Sequence, residues 1–439
     1  MLEPTPPGIA SVAVAAGAHN VLHAVVTASL LDADSVTVRY GVAGATLDSV
    51  TPVAIAHDSQ QLDVLGLLPR TAYRMQVVAY GHGLSAESDT VAFTTGDLPT
   101  DLPAYQAGGT DPSPGYVAFA ANAYGIVIDN TGRVVWYRAL PGGMTLNFQP
   151  QPTGHYLTHP VTAATDDAAP WVEIDPNGEI TRHLGCMNGL RSRFHDILVA
   201  RDGDYWLLCD DTRVMDLTSA GGVAAAQVTG TVIQHVSATG TLLFDWSAFD
   251  HFDITDLEQQ SRTGAMVNWT HGNALDLDAD GDLLVSFRSL SEITKIGVAT
   301  GEVLWRLGGL RNQFILEETG APFTRQHGVR VIGPGQLQLF DNLGEQAGSR
   351  AEKYEIVEAA HTVRRVATYS SAPGVTSLLG GSTQPLPGGR ILVAYGNANR
   401  VQEYDSAGRV VWEIQGDPGY IFRAERIASL YAPGVGTPR

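Results

Sequence analysis

Hydrophobic and polar positions along this chain alternate in short runs that end at turn residues, a pattern typical of β-strands. Six such runs occupy the first region, at residues 10–15, 20–29, 35–41, 61–67, 72–81 and 89–95. A second and longer region of short runs begins near residue 104, and glycine and proline residues are spread throughout. The pattern therefore predicts an all-β protein with a small β-sandwich in front.

The longer region repeats one hairpin, in which a glycine turn precedes an apolar pair and an aromatic residue. Clear copies occupy residues 132–136, 240–244, 301–305 and 408–412. A second hairpin lies upstream of several copies, and the resulting units are 114–138, 148–184, 195–246, 271–307, 327–369 and 380–414. Because each unit holds about four short strands, the repeat predicts a six-bladed β-propeller, with a solenoid or double sandwich as the alternative. Residues 420–431 are expected to pair back and close the ring.

Three histidines occupy the same place in three consecutive units, directly before the first hairpin: His195, His271 and His327. Since the first strand of each blade lines the central channel, we expect their side chains to meet in one axial pocket. Imidazole titrates near neutral pH and can serve as base, nucleophile or metal ligand. Asn273 shares the strand face of His271, and Arg288 lies on the next strand of that hairpin. This guanidinium would suit an oxyanion.

Composition limits the partners. The formal charge of −19 argues against nucleic acid or an anionic membrane, so an anionic substrate would need a local positive site. The sequence contains no run of about 18 apolar residues, so no transmembrane helix is predicted. The first residues lack the pattern of a signal peptide, which leaves a cytoplasmic protein or a processed one. The two cysteines, Cys186 and Cys209, could form a disulfide or remain free thiols.

The sequence around the histidines resembles the arylsulfotransferase family over roughly residues 110–431. The specific part is 269–309, which contains Trp269-Thr270-His271-Gly272-Asn273. Further matching stretches are 323–328, Phe340-Asp341-Asn342 and 422–427. The resemblance implies a six-bladed propeller that moves a sulfuryl group between phenols, without the nucleotide donor PAPS, by ping-pong kinetics through a sulfohistidine.

The resemblance also implies a role for each residue of the cluster. His327 matches the sulfated nucleophile, while His195 and His271 match the donor-orienting and acid/base histidines. Arg288 and Asn273 match residues that bind the sulfate oxygens. The implied partners are an aryl sulfate and a phenol, and no cofactor or catalytic metal is expected. We also expect Asn342 to belong to the substrate-binding set.

The front region resembles a fibronectin type III domain, since residues 67–73 follow that family's L-x-P-x-T-x-Y corner. The predicted domains are a sandwich at 1–97, a linker at 98–110 and a catalytic propeller at 111–439. The sandwich is expected to serve as a spacer or as a contact in a homodimer. We expect a periplasmic or secreted location. This front domain, and cysteines that flank His195, depart from the family pattern.

Two other functions stay open. The three histidines could hold zinc in a hydrolase or lyase, although the nearby Arg288 disfavours a dication there. A propeller with a fibronectin-like domain could also bind a ligand without turnover. The acidic run 276–282 resembles half of a calcium loop, but Phe287 stands where the bidentate glutamate belongs. A hairpin turn is expected there, with structural calcium as the alternative.

Overall fold

The computed structural model describes residues 5–140, 143–160, 168–317, 322–343 and 348–433. Strands dominate these ranges, which confirms the all-β class predicted from the hydrophobic pattern. The helical segments within them are short: α1 (Ala248–His251) and 3₁₀ turns at Thr218–Ala220, Ile254–Asp256, Gln259–Arg262, Glu358–Ala360 and Pro387–Gly389. None of the helices in the described ranges is long and apolar enough to cross a membrane.

The first nine strands form two sheets that share one core. They are β1 (Gly8–Ala16), β2 (Ala24–Leu31), β3 (Ser35–Val42), β4 (Ser49–Val50), β5 (Ala54–Ile55), β6 (Ser59–Val64), β7 (Ala72–Gly81), β8 (Leu84–Glu87) and β9 (Val91–Thr94). One sheet has the order β1-β2-β6 and the other β4-β3-β7-β8, with β5 beside β3 and β9 beside β7. Alternate residues of β2, such as Val26, are buried against Val36 and Val77 of the second sheet. The Leu68 backbone N–H donates to Tyr73 Oη at 2.8 Å, which fits the tyrosine corner predicted at residues 67–73.

The remaining strands fall into sheets of four or five strands. They are β10 (Gln106–Gly108), β11 (Tyr116–Ala121), β12 (Tyr124–Ile128), β13 (Val134–Ala139), β14 (Thr145–Pro150), β15 (Tyr156–Pro160), β16 (Trp171–Ile174), β17 (Ile180–Leu184), β18 (Arg191–Val199), β19 (Tyr205–Met215), β20 (Ala226–Val236), β21 (Leu242–Ser247), β22 (Met266–Asn268), β23 (Gly272–Leu277), β24 (Leu283–Phe287), β25 (Glu292–Ile296), β26 (Val303–Gly308), β27 (Ile315–Leu316), β28 (His327–Gly333), β29 (Gln336–Asp341), β30 (Arg350–Val357), β31 (Thr362–Ser370), β32 (Ser382–Leu386), β33 (Arg390–Ala394), β34 (Val401–Tyr404), β35 (Val410–Gln415) and β36 (Ala424–Ile427).

Within the described ranges these strands make six sheets, each built around four antiparallel strands. The sheet orders are β36-β11-β12-β13, β14-β15-β16-β17, β18-β19-β20-β21, β23-β24-β25-β26, β28-β29-β30-β31 and β32-β33-β34-β35. Short strands extend three of them: β10 pairs with β35, β22 with β20, and β27 with β31. The first strand of each sheet contacts that of the next, and β32 contacts β36, so the circle of first strands is closed.

Closure depends on the two ends of this region. Strand β36 pairs with β11, as expected for the stretch 420–431, and brings Ala424 opposite Phe119. At the other end, β10 falls in the predicted linker but pairs with β35 of the last sheet. The chain therefore joins this sheet before residue 111.

Three buried tryptophans link neighbouring sheets; Trp136 and Trp412 stand at the repeated aromatic position, and Trp246 lies two residues after the repeated Phe244. Trp136 Nε1–H donates to the Pro176 carbonyl at 2.7 Å, and Trp246 Nε1–H donates to the Gly301 carbonyl at 3.0 Å. Trp412, in the last sheet, bonds in the same way to Asn130 of the first, at 2.9 Å. In each case the indole reaches the outer turn of the following sheet. A buried indole with a satisfied N–H stabilises the contact between two sheets by apolar burial, and its hydrogen bond orients the contact.

Candidate functional site

His327 is the first residue of β28, and only 2% of its surface is exposed. Its Nδ1 lies 2.7 Å from Asn342 Oδ1. The Asn342 amide can face only one way, because its Nδ2 donates to the carbonyl oxygens of Ser377 and Gly380, at 2.8 and 3.0 Å. Asn342 therefore offers an oxygen to the ring, which places the proton on Nδ1. Nε2 of His327 is left as the nitrogen with a lone pair.

The surroundings of His327 keep the ring neutral. Burial lowers its pKa to about 3; the hydrogen bond to Asn342 opposes this effect, and the charges of Arg288 and Arg423 add to it. A neutral imidazole with its proton fixed on Nδ1 presents Nε2 as a nucleophile at neutral pH.

His195 and His271 contact each other. Their Nε2 atoms are 3.2 Å apart, and the two rings meet edge to face. Burial lowers the pKa of both well below the ordinary value, and the positive charge of Arg193 acts in the same direction. Because both rings are neutral, one Nε2 must donate and the other accept. His271 reaches this position with a left-handed φ of 51° immediately before β23.

Arg288 joins the cluster at the turn after β24. Its charge contributes to the lowered pKa of all three histidines. One Nη2–H donates to the Leu378 carbonyl at 3.0 Å, and the backbone N–H donates to the His271 carbonyl at 3.0 Å. Its buried Nε has no hydrogen-bond partner among the described residues. The guanidinium thus keeps donor capacity for an anion.

The two asparagines proposed for substrate binding are both engaged with the segments around His327. Asn273 Nδ2 donates to the Gln326 carbonyl at 2.7 Å, one residue before His327. Its buried Oδ1 has no partner in the part of the chain that the structure describes. Asn342 contacts the ring of His327 directly, as above. Both side chains therefore hold the segment that carries His327 in place, and their contact with a substrate remains a prediction.

Aromatic rings that sequence reasoning did not assign to the site surround the histidines. Phe194 stacks on His195 with ring centroids 4.2 Å apart. Phe422 lies edge-on to His195 at 5.8 Å and to His327 at 6.2 Å. Tyr420 lies close enough to Arg288 for the guanidinium to oppose the rise that burial causes in its pKa. These rings offer an aryl substrate faces and edges for packing.

A buried carboxylate, Asp196, links the strands that carry the histidines. Asp196 follows His195 and accepts hydrogen bonds from Arg330 at 2.9 Å and from Arg423 at 2.7 Å. It also accepts the Leu275 backbone N–H at 3.1 Å. Burial raises the pKa of Asp196, but the two guanidinium groups outweigh this and lower it to about 2. Asp196 thereby joins β18, β23, β28 and the segment that leads into β36.

The geometry does not favour metal binding. No group of three or more His, Cys, Asp or Glu residues in the described ranges is arranged to hold a metal ion. In the acidic turn at 276–282, Asp278 Oδ2 lies 2.8 Å from Lys295 Nζ. Asp278 Oδ1 accepts the backbone N–H groups of Asp280 and Asp282, at 2.9 and 3.0 Å. This is a hairpin turn stabilised by an aspartate, and its contacts do not support the calcium alternative.

Cys186 and Cys209 form a disulfide, which decides between the alternatives that their number left open. The Cys186 backbone N–H donates to Ser192 Oγ at 2.9 Å, and Cys209 lies opposite Ser192 in the β18–β19 ladder. The bridge thus ties the loop before β18 to the strand pair that carries His195.

Comparison with known proteins adds one family. A family model described as Arylsulfotransferase (ASST) matches residues 190–417, a range that contains all six predicted site residues. No curated protein matches the chain.

Among solved structures, the chain is similar to a protein of unknown function from Bacteroides caccae, with 14% identity over 71% of this chain and 98% of that one and a TM-score of 0.46. It is also similar to a streptogramin B lyase, with 14% identity over 72% of this chain and 85% of that one and a TM-score of 0.41. A catalytically inactive virginiamycin B lyase from Staphylococcus aureus with quinupristin shows 11% identity over 72% and 91%, with a TM-score of 0.39.

Proposed function

The chain belongs to the arylsulfotransferase family, and we propose that it transfers a sulfuryl group between phenolic compounds with His327 as the group carrier. The observation that supports this most directly is the pair formed by His327 and Asn342. The bond between them places the proton on Nδ1, and burial keeps the ring neutral. In this tautomer Nε2 is the ring nitrogen that keeps its lone pair.

In the first half-reaction, Nε2 of His327 attacks the sulfur of an aryl sulfate. The N–S bond forms as the S–O bond to the aryl oxygen breaks, and the phenolate leaves. The ring gains positive charge, which the hydrogen bond from Nδ1–H to Asn342 Oδ1 stabilises. The free donors of Arg288 are suited to the sulfuryl oxygens, on which negative charge is concentrated.

In the second half-reaction, a phenol oxygen attacks the sulfur held on His327. The O–S bond forms, the N–S bond breaks and Nε2 recovers its lone pair. The proton of the phenol passes to the neighbouring pair of neutral histidines, His195 and His271, and from there to water. A general base in this position typically contributes about 10²–10⁴-fold to the rate.

The architecture belongs to the same proposal. The six sheets are the blades of one propeller, supported by the closed circle of their first strands. The two-sheet unit in front is a fibronectin type III-like domain, supported by the bond between Leu68 and Tyr73. We propose a front domain at 1–97 and a propeller that begins with β10, so that the linker predicted at 98–110 ends before residue 106, and we propose that the protein lies in the periplasm or outside the cell. The proposed partners are an aryl sulfate and a phenol, and the front domain serves as a spacer or as a contact in a homodimer.

Release of p-nitrophenol from p-nitrophenyl sulfate, with and without a second phenol, tests this proposal. We expect release to be fast only when the acceptor is present, and the acceptor to be recovered as its sulfate. His327→Asn should abolish release. His183→Asn should not abolish release, because His183 is an exposed histidine on β17, in another of the six sheets. Equal release without an acceptor would instead favour a hydrolase, and no turnover at all would favour a binding propeller.

A further inference from the structure

We propose that Asn268, oriented by Arg193, fixes the tautomer of His271 and thereby gives the two contacting histidines different roles. His271 becomes a permanent hydrogen-bond donor through Nε2–H, and His195 becomes the base through Nε2. The catalytic part of this inference rests on the proposed sulfuryl transfer. The tautomers follow from the contacts alone.

Arg193, on β18, makes two side-chain hydrogen bonds. Its Nε donates to Asp210 Oδ1 at 2.6 Å, and its Nη2 donates to Asn268 Oδ1 at 3.3 Å. A guanidinium has no acceptor, so Asn268 must turn its oxygen toward Arg193. The other end of the same amide, Nδ2, then faces His271 Nδ1 at 2.6 Å. The reversed amide would place two donors against each other at Arg193 and is excluded on that ground.

The tautomers follow in sequence along the chain of bonds. His271 Nδ1 accepts from Asn268, so its proton is on Nε2. That Nε2–H points at His195 Nε2, 3.2 Å away, which must accept it. The proton of His195 is therefore on Nδ1, a buried atom without a hydrogen-bond partner among the described residues. Each ring then has one possible tautomer.

The backbone holds this arrangement in place. Asn268 ends β22, a strand outside the four-strand order of its sheet, which pairs in parallel with β20 and brings Asn268 opposite Thr229. His271 is held in its left-handed conformation by the bond from the Arg288 N–H to its carbonyl. The extra strand thus presents a single polar side chain to the histidine pair.

These tautomers give the two histidines different roles in the reaction. A substrate that separates the two rings exposes the lone pair of His195 Nε2 and the N–H of His271 Nε2. His195 then takes the proton of the acceptor phenol and becomes an imidazolium, which returns the proton to water. His271 keeps its own proton and donates a hydrogen bond to the aryl oxygen that leaves or attacks. The family resemblance assigns the acid/base role to His271 and donor orientation to His195, so the structure points to the opposite division.

Nuclear magnetic resonance of ¹⁵N-histidine-labelled protein, at mildly alkaline pH, tests the tautomers directly. The His271 signals can be assigned with His271→Gln. We expect a protonated Nε2 and an unprotonated Nδ1 in the parent protein. Asn268→Asp should reverse them, because a carboxylate only accepts and would draw the proton to Nδ1. A proton on Nδ1 in the parent, or no change in Asn268→Asp, would overturn the assignment.

A series of aryl sulfates whose leaving phenols differ in pKa tests the roles. Asn268→Asp removes the donor from His271 Nε2, so kcat should fall most for the poorest leaving groups, by about 10²-fold, with KM little changed. Arg191→Gln is the matched control: it removes one charge from the same face of β18, and Arg191 is exposed. Its kinetics should match the parent.

The two possible failures can be told apart. If the parent transfers no sulfuryl group, the proposed function fails, while the resonance experiment still decides the tautomers. If the parent transfers the group but Asn268→Asp loses rate equally for every leaving group, the role of His271 as donor is wrong.

Discussion

Replacing Asp196 by asparagine should destabilise the ring of sheets more than any exposed charge change. Asp196 is fully buried and accepts hydrogen bonds from Arg330 and Arg423, which come from β28 and from the segment before β36. Asparagine keeps the shape of the side chain and removes its charge. Both guanidinium groups would then lie near the axis without their shared counter-ion.

The structure sets the size of the effect. The pKa of Asp196 is lowered from 3.8 to about 2 despite burial, which corresponds to about 2 kcal/mol of stability from ionisation. Removing one partner of a buried ion pair costs about 3–5 kcal/mol, because the other charge is left uncompensated. We expect Asp196→Asn to lie in this range. Since the folded pKa is the lower one, the ionisation part is present above pH 3.8 and is lost as pH falls through 2.

Urea unfolding at neutral pH measures the change as a lower midpoint with an unchanged slope. Asp211→Asn is the control, because Asp211 makes a more exposed ion pair with Arg213 and should cost at most about 1 kcal/mol. A loss below about 1 kcal/mol in Asp196→Asn would show that the carboxylate does not balance the two guanidinium groups. A difference in unfolding free energy from the parent that stays constant down to pH 2 would show that its ionisation does not contribute to stability.

Three further changes have defined outcomes. Asn342→Leu removes the acceptor of His327 Nδ1–H, so kcat should fall by about 10²–10⁴-fold with KM for the aryl sulfate little changed in steady-state assays; an unchanged kcat would contradict the tautomer lock. Burial lowers the pKa of His327 from 6.5 to about 3, so the protein takes up a proton on unfolding at pH values below 6.5. The free energy of unfolding should therefore fall by about 1.4 kcal/mol for each pH unit below 6.5. His327→Gln should weaken this dependence on pH, and an equal dependence in the variant would contradict the prediction. Replacing Cys186 and Cys209 by alanine should lower the free energy of unfolding by about 3 kcal/mol, given their separation of 23 residues, and a loss under 1 kcal/mol in urea would contradict this.

Local patterns carried the prediction of the strands, because hairpin turns and alternating burial are properties of neighbouring residues. The expected run at 72–81 is β7, and the expected return of 420–431 is β36. The pattern does not predict which distant residue each aromatic side chain contacts. The Trp136 N–H bonds to Pro176, which lies 40 residues away in the next sheet, and no local signal marks that partner. Strands β22 and β27 were missed for the same reason, since both pair in parallel with distant strands.

At the site, the repeat register was enough to identify the histidines but not their partners. His195 and His271 stand 76 residues apart in sequence and are in contact. Asn268 and Arg193, which set their hydrogen bonds, lie outside the repeated positions, and an isolated asparagine in the sequence carries no signal by itself. Phe422 stands in one of the stretches that match the family, but no sequence pattern assigns its ring to the site. Its place between two histidines depends on how the closing segment returns to the axis.

Transfer through a sulfohistidine requires that His327 carry the sulfuryl group between the two half-reactions. Intact-mass measurement of the protein after brief exposure to p-nitrophenyl sulfate without acceptor, followed by peptide mapping, detects this intermediate. We expect one added sulfuryl group, located on the peptide that contains His327 and lost when a phenol is added. An adduct on another residue, an adduct that persists in His327→Asn, or turnover without any adduct would contradict it.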